Sequence, residues 1–141
     1  MAIASTEQVR EQQTLPKAEI LRGHNGFKEV LLTGSVLRGT LIQGYLLPVD
    51  KKFNERIPIR IGFAVTRRVR SAAARNRVRR LMREAYRRNK MPFVKSAVER
   101  GKKFSLVFLF RGDRNPRVRK VQYTEVEGDI QGILQKAIAL E

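Results

Sequence analysis

Apolar residues change their spacing along this chain, and the changes mark its elements. Phe27, Val30 and Leu31 fall at i, i+3 and i+4, which predicts a helix over His24–Thr33 with Gly34 as its natural stop. Two extended stretches follow, at 35–38 and 41–49, with Gly39 between them and Pro48 closing the second. Residues 51–55 form a charged turn. Over 56–66, Ile57, Ile59, Ile61, Phe63 and Val65 alternate with other residues, the period of a strand. Pro58 stands near its start, where a missing N–H is tolerated. Ser71 suits the N-cap of a long helix reaching about Asn89, and Pro92 restricts Met91 and marks a break. A short helix is expected over 93–100, ended by Gly101, and then a buried strand at Phe104–Phe110. A basic, proline-containing loop over 111–120 leads to a last helix from Tyr123. Its residues Val126, Ile130, Ile133, Leu134, Ala137 and Ile138 make one apolar face, although Gly128 and Gly132 each weaken the helix by about 1 kcal/mol.

The order α-β-β-β-α-β-α reads as one α+β domain, a sheet covered by helices. A chain of 141 residues, 42% hydrophobic, can build such a core. Residues 1–18 are polar, contain Pro16 and read as a flexible N-terminal tail, with the domain over 19–141. There is no cysteine, so neither a disulfide framework nor a thiolate metal site is available. No apolar run approaches the roughly 18 residues that span a bilayer, and the first residues lack the basic start and apolar stretch of a secretory signal. A cytoplasmic protein is expected.

Charge changes the picture more than composition does. Thirty Lys and Arg against thirteen Asp and Glu give +17, an excess whose self-repulsion calls for a polyanionic partner. The segment 67–90 holds eleven basic residues and one acid, Glu84. At about 100° per residue, Ala74, Val78, Leu81, Met82, Ala85 and Tyr86 gather on one side of the long helix. Asn76, Arg79, Arg80, Arg83, Arg87 and Lys90 gather on the other, with Arg75 and Arg77 at the edges. Like charges at i, i+4 destabilise an isolated helix by roughly 0.2–0.5 kcal/mol each, and a coating of phosphate removes that repulsion. Solvated faces ordinarily mix signs, and this one does not. Arg outnumbers Lys twenty to ten, which suits bidentate phosphate contact, though a GC-rich genome has the same effect. Tyr86, Phe63, Phe108 and Phe110 read as core, whereas Phe27 and Tyr45 suit base stacking and ordinary packing equally.

The stretch Arg60-Ile-Gly-Phe-Ala-Val-Thr-Arg-Arg-Val, with Arg75-Asn-Arg-Val-Arg-Arg-Leu-Met-Arg-Glu-Ala-Tyr after it, resembles the signature of the protein component of bacterial ribonuclease P. Phe27, Val30 and Gly34, Tyr45, the strand at Phe104–Phe110 and the pair Tyr123 and Glu125 extend the resemblance over about residues 20–139. It implies a single two-layer domain with a mixed four-stranded sheet and an unusual left-handed βαβ crossover (ribosomal protein S5 domain 2-like), where generic rules favour a right-handed one. It implies a protein that assists an endonuclease without being the catalyst. The RNA subunit is then the ribozyme and holds the Mg2+, and the complex removes the 5′ leader of precursor tRNA. Arg75, Asn76, Arg77, Arg79, Arg80, Arg83 and Arg87 would lie on the ribonuclease P RNA, one protein per RNA. Phe27, Leu31 and Tyr45 would line a leader-binding cleft, with Arg60, Arg67 and Arg68 supplying charge beside it. Neither catalytic nor metal-ligating residues are implied on the protein, and neither DNA nor membrane as a partner. Arg70 and Ser71 stand where the family usually has Gly-Asn, Leu31 where it commonly has an aromatic, and Ile20 where it has an arginine, with Arg22 the nearest basic residue.

Three other functions fit the composition. A protein-only nuclease needs carboxylate clusters or histidines, but His24 is the only histidine. The acids Glu125, Glu127 and Asp129 suit the positive end of a helix dipole. A structural, ribosomal-type RNA-binding protein with no processing role is separated from the first reading by the strand-to-helix signature, not by composition. A DNA reader wants a few spaced polar side chains, whereas arginine at nearly every outward position suits backbone contact.

Overall fold

The computed structural model describes residues 15, 17–21, 24–49, 58–112 and 121–140. Most of the tail assigned to 1–18, the charged turn at 51–55, Arg22, the His24 side chain and most of the basic loop lie outside the described residues. The elements are α1 (His24–Thr33), β1 (Ser35–Arg38), β2 (Ile42–Pro48), β3 (Ile59–Val65), α2 (Ala72–Asn89), α3 (Met91–Glu99), β4 (Phe104–Phe110) and α4 (Tyr123–Ala139). A 3-10 turn at Lys17–Glu19 precedes them.

Strand β4 is almost wholly apolar because it is buried on both faces. It runs antiparallel to β2 and parallel to β3, in the order β1-β2-β4-β3, so the sheet is mixed. A parallel neighbour needs a crossover, which α2 and α3 supply between β3 and β4. The short helix expected at 93–100 begins two residues earlier, because Pro92 sits in the first turn of α3, where no N–H is required. Only Lys90 separates it from α2.

Alternation along the strands divides the sheet into two faces. Ile42, Leu46, Ile59, Ile61, Phe63, Leu106, Phe108 and Phe110 belong to the main core, together with Val78, Met82, Ala85 and Tyr86 of α2 and Val126, Ile130, Ile133 and Leu134 of α4. Phe63 stacks on Phe108, with ring centroids 6.1 Å apart, and meets Tyr86 edge-on at 6.2 Å. Each such fully buried side chain contributes roughly 1.5–3 kcal/mol. The opposite face carries a smaller cluster around Leu21, Val30 and Val107, covered in part by α1.

Two further contacts fix the ends. Asp129 of α4 accepts the backbone N–H groups of Thr40, Leu41 and Ile42, at 3.1, 2.6 and 3.0 Å, and so clamps the β1–β2 turn. At the start of the chain, Leu15 packs against the main core, Ile20 pairs with Ile61 beside β3, and the Leu21 N–H donates to the Ile61 carbonyl at 2.7 Å. Gly34 ends α1 without a left-handed backbone. Its N–H donates to the Val30 carbonyl at 2.8 Å, and a Cβ there would stand 2.5 Å from that same oxygen. No helix among the described residues is long and apolar enough to cross a membrane.

Candidate nucleic-acid interface

Helix α2 starts where the sequence places it. Ser71 has an extended backbone, and its Oγ accepts the Ala74 N–H at 3.3 Å. The turn before it needs no glycine, since no described non-glycine residue has a positive φ. Arg75 holds this turn instead, one terminal nitrogen donating to the carbonyls of Val69 at 2.7 Å and Arg70 at 2.9 Å. Arg70 and Ser71, where the resemblance leads one to expect Gly-Asn, are thus accommodated by a path without positive φ and by a hydroxyl cap.

The predicted wheel separates on folding into three groups. Val78, Met82, Ala85 and Tyr86 are buried. Arg75, Arg77 and Arg87 are half-buried and engaged within the protein. Arg77 donates to the Val121 carbonyl at 2.7 Å and so pins the approach to α4. Arg87 forks onto Glu84, and Arg88 reaches the same carboxylate at 3.0 Å. Hydrogen bonding from Arg87 is the main cause that holds the Glu84 carboxyl below its ordinary range, and the same bond raises the Arg87 guanidinium. The third group is Asn76, Arg79, Arg80 and Arg83. Asn76 accepts from Arg79 at 2.9 Å, and no described residue pairs with Arg80 or Arg83, which lie on the outer side of the helix.

Lys90 departs from the expectation. The helical wheel assigns it to the cationic face, but it is 4% exposed and its Nζ lies 2.8 Å from Glu19. A buried ammonium needs a counter-charge, and the 3-10 turn brings one that local spacing cannot foresee.

The second surface is the other face of the sheet. Strand register places Val36, Tyr45, Val107 and Gly62 in one row, and Arg38, Gln43, Leu109 and Ala64 in the next. Phe27 and Leu31 of α1 pack on this face beside Tyr45, Leu47 and Ala64. A Cβ on Gly62 would stand 2.7 Å from two ring carbons of Phe27, so glycine is what lets the aromatic lie on the strand. Tyr45 donates its hydroxyl to Gln43 Oε1 at 2.9 Å. Phe27, Leu31, Tyr45, Gln43, Leu109 and Ala64 all remain partly exposed, which leaves an apolar and aromatic surface beside α1. Arg60 lies on the same face, in register with Ser105. Arg67 and Arg68 are exposed in the turn after β3, and Arg68 and Arg111 line a cleft at the sheet's end. The sequence alone does not single out Gln43, Gly62, Val107 and Arg111 for this surface. The parity of Gln43 with Tyr45 and of Gly62 with Arg60 is visible there, but the register that aligns the strands and brings Val107 beside them is not.

Two of the three acids of α4 serve the fold. Asp129 holds the β1–β2 turn, and Glu127 accepts from the Tyr123 hydroxyl at 2.6 Å and from Asn89 at 3.2 Å. Those bonds, that from Tyr123 first, hold the Glu127 carboxyl below its usual range. Burial, ahead of the bond to Glu127, raises the Tyr123 phenol.

This fold is shared with known proteins. The family model described as Ribonuclease P matches residues 15–138. The chain belongs to the ribonuclease P protein family. The ribonuclease P protein component of Chlorobaculum tepidum is 36% identical over 110 residues, 72% of this chain and 70% of the relative. That of Dictyoglomus thermophilum is 30% identical over 128 residues, covering 91% and 95% of the two chains. Among solved structures, the ribonuclease P protein of Thermotoga maritima superposes with a TM-score of 0.63 at 23% identity, over 84% of this chain and 96% of that one. The α+β fold with its mixed four-stranded sheet is therefore the fold of the ribonuclease P proteins.

Proposed function

We propose that this chain is the protein subunit of a ribonuclease P. It binds the catalytic RNA through α2 and holds the 5′ leader of precursor tRNA on the open face of the sheet beside α1. The supporting observation is the third group on α2. Arg80 and Arg83 point outward with no described partner, beside the Asn76–Arg79 pair, on a rod whose inner face is locked into the core. Outward guanidiniums held without a counter-charge are matched by phosphates, whose binding releases counterions.

Arg75, Arg77 and Arg87 take part differently. Each already donates to a carbonyl or carboxylate, so its first task is to fix the helix, and its remaining donors face RNA. On that surface, Phe27 and Tyr45 offer ring faces to splayed bases, Leu31 adds apolar contact, and Arg60, Arg67 and Arg68 meet the phosphates. The polypeptide positions the substrate while the RNA subunit and its Mg2+ perform the hydrolysis. Two of the chain's three candidate acids, Asp129 and Glu127, are engaged in fold-holding hydrogen bonds. A cytoplasmic ribonucleoprotein with one protein per RNA follows from this reading.

The test is reconstitution with a bacterial ribonuclease P RNA at low magnesium. Leader removal should rise sharply when the protein is added. No gain with any class of ribonuclease P RNA refutes the proposal, and cleavage by the RNA-free chain would place the chemistry in the protein instead.

A further inference from the structure

Strand β3 is the last in the sheet order, and its outer edge is taken by the start of the chain. Ile20 bridges Ile61 in parallel, and the Leu21 N–H donates to the Ile61 carbonyl at 2.7 Å. The residues around this bridge go to opposite faces. Leu15 packs against the main core, and Glu19, at the end of the 3-10 turn, accepts from Lys90 Nζ at 2.8 Å. Leu21 is buried on the open face with Val30 and Val107, and Phe27 packs against the same cluster. The segment 17–21 is therefore a strap that passes round the edge of the sheet from one layer to the other.

Each end of the strap meets a helix of a different layer. Lys90 is the single residue between α2 and α3, so the pair with Glu19 is made at the C-terminal end of the arginine helix. An ammonium buried this deeply is strongly unfavourable without a counter-charge, which holds Glu19 in place while Lys90 stays inside. At the other end, Leu21 meets the first turn of α1, where a Cβ on Gly26 would stand 3.4 Å from Leu21 Cδ1. Two residues separate Leu21 from His24, where α1 begins, so α1 has little slack against the strap. Leu21 and Phe27 share one apolar cluster, and the Phe27 ring lies on Gly62 of β3. A close-packed cluster passes a displacement on instead of absorbing it, so a strap that lifts takes the ring with it.

We infer, on the leader reading of the open face, that Glu19 is a positioning residue for the substrate. Anchored on Lys90, it holds the strap against β3 and so fixes, from the end of α2, where α1 and its Phe27 ring stand on the opposite layer.

The chain contains no cysteine, so Leu32→Cys on α1 and Gln135→Cys on α4, both exposed, can carry a pair of nitroxide labels. Pulsed electron spin resonance should show a displaced or broadened distance distribution when Glu19→Gln is added. In the holoenzyme, Glu19→Gln should weaken binding of leader-bearing substrate by about threefold to tenfold. Affinity for ribonuclease P RNA and for leaderless tRNA should stay unchanged. Leu21→Ala leaves the ion pair in place but loosens the strap's hold on α1. It should give the same selective loss, and the double variant should lose no more than either alone, as expected of residues acting through one another. Glu19→Gln made together with Lys90→Met strands no buried ammonium, and serves if Glu19→Gln alone does not fold. An unmoved label distance, an equal loss with leaderless tRNA, or losses that multiply in the double variant overturn the positioning role. Tyr45→Ala separates this role from the reading beneath it. If Tyr45→Ala hurts leader binding while Glu19→Gln does not, the positioning role fails and the leader surface stands. If neither matters, the leader reading fails and the positioning role with it.

Discussion

At Gly62, a missing side chain decides what the open face can be. The Phe27 ring lies where a Cβ on Gly62 would stand 2.7 Å from two of its carbons, and this contact helps seat α1 on the sheet. Gly62→Val should force the ring away and tilt α1. We expect a loss of about 1–3 kcal/mol in urea unfolding, typical of overpacking, and weaker binding of leader-bearing substrate with unchanged ribozyme affinity. Unaltered substrate binding would mean the Phe27 ring has no part in that surface. Glu84 works by charge. It is the only acid amid the arginines of α2, and it restrains Arg87 and Arg88. Its carboxyl is held below the ordinary value of 4.5, so its stabilising contribution is present above that pH and is lost as pH falls through the lower folded-state value. Glu84→Gln should remove that part of the acid sensitivity. It should cost about 0.5 kcal/mol or less at neutral pH, because the pair is partly exposed, and should loosen the hold on two guanidiniums near the RNA. A steeper dependence of RNA affinity on salt is the expected readout, and an unchanged one would show that Arg87 and Arg88 stay clear of the RNA.

At the level of the element, α2 is the part most legible in the sequence. Its cap, its length and its buried stripe follow from Ser71, Asn89 and the apolar period, because a helix face is set by local spacing alone. The strands are legible as strands but not as a sheet. That β4 lies between β2 and β3, and that α1 and α2 take opposite faces, depends on pairings between residues far apart in sequence. The same limit hides Lys90, which the wheel assigns to solvent and which Glu19, seventy-one positions away, draws inside. It hides Asp129 as well. Its place in the chain suggests helix-dipole stabilisation, while its oxygens bind a turn some ninety residues earlier. Within α2, Arg79→Ala with Arg83→Ala should weaken ribozyme binding and flatten the plot of log affinity against log salt by roughly 0.7–0.9 unit for every phosphate no longer neutralised. The helix itself should persist, since alanine favours it and neither side chain is core. Retention of the full slope would exclude this face from the RNA interface.

For the whole molecule, the excess of +17 sets two salt dependences against each other. In the free protein, like charges crowd α2 and the sheet's ends, and their repulsion opposes compaction. Attractive ion pairs would respond in the opposite sense. Glu84 with Arg87 and Arg88 is partly exposed and therefore weak, while Lys90–Glu19 is sheltered from ions by burial. Repulsion should win, so raising KCl from about 0.05 M to about 0.5 M, which shortens the screening length from roughly 14 Å to about 4 Å, should stabilise the free chain. The same change should dissociate it from RNA, because every phosphate the protein lets go takes up counterions again. Urea midpoints and RNA affinities measured across one KCl series should therefore move in opposite directions. If the free protein instead loses stability as salt rises, its attractive pairs outweigh its repulsions, and a polyanion is no longer needed to account for the charge.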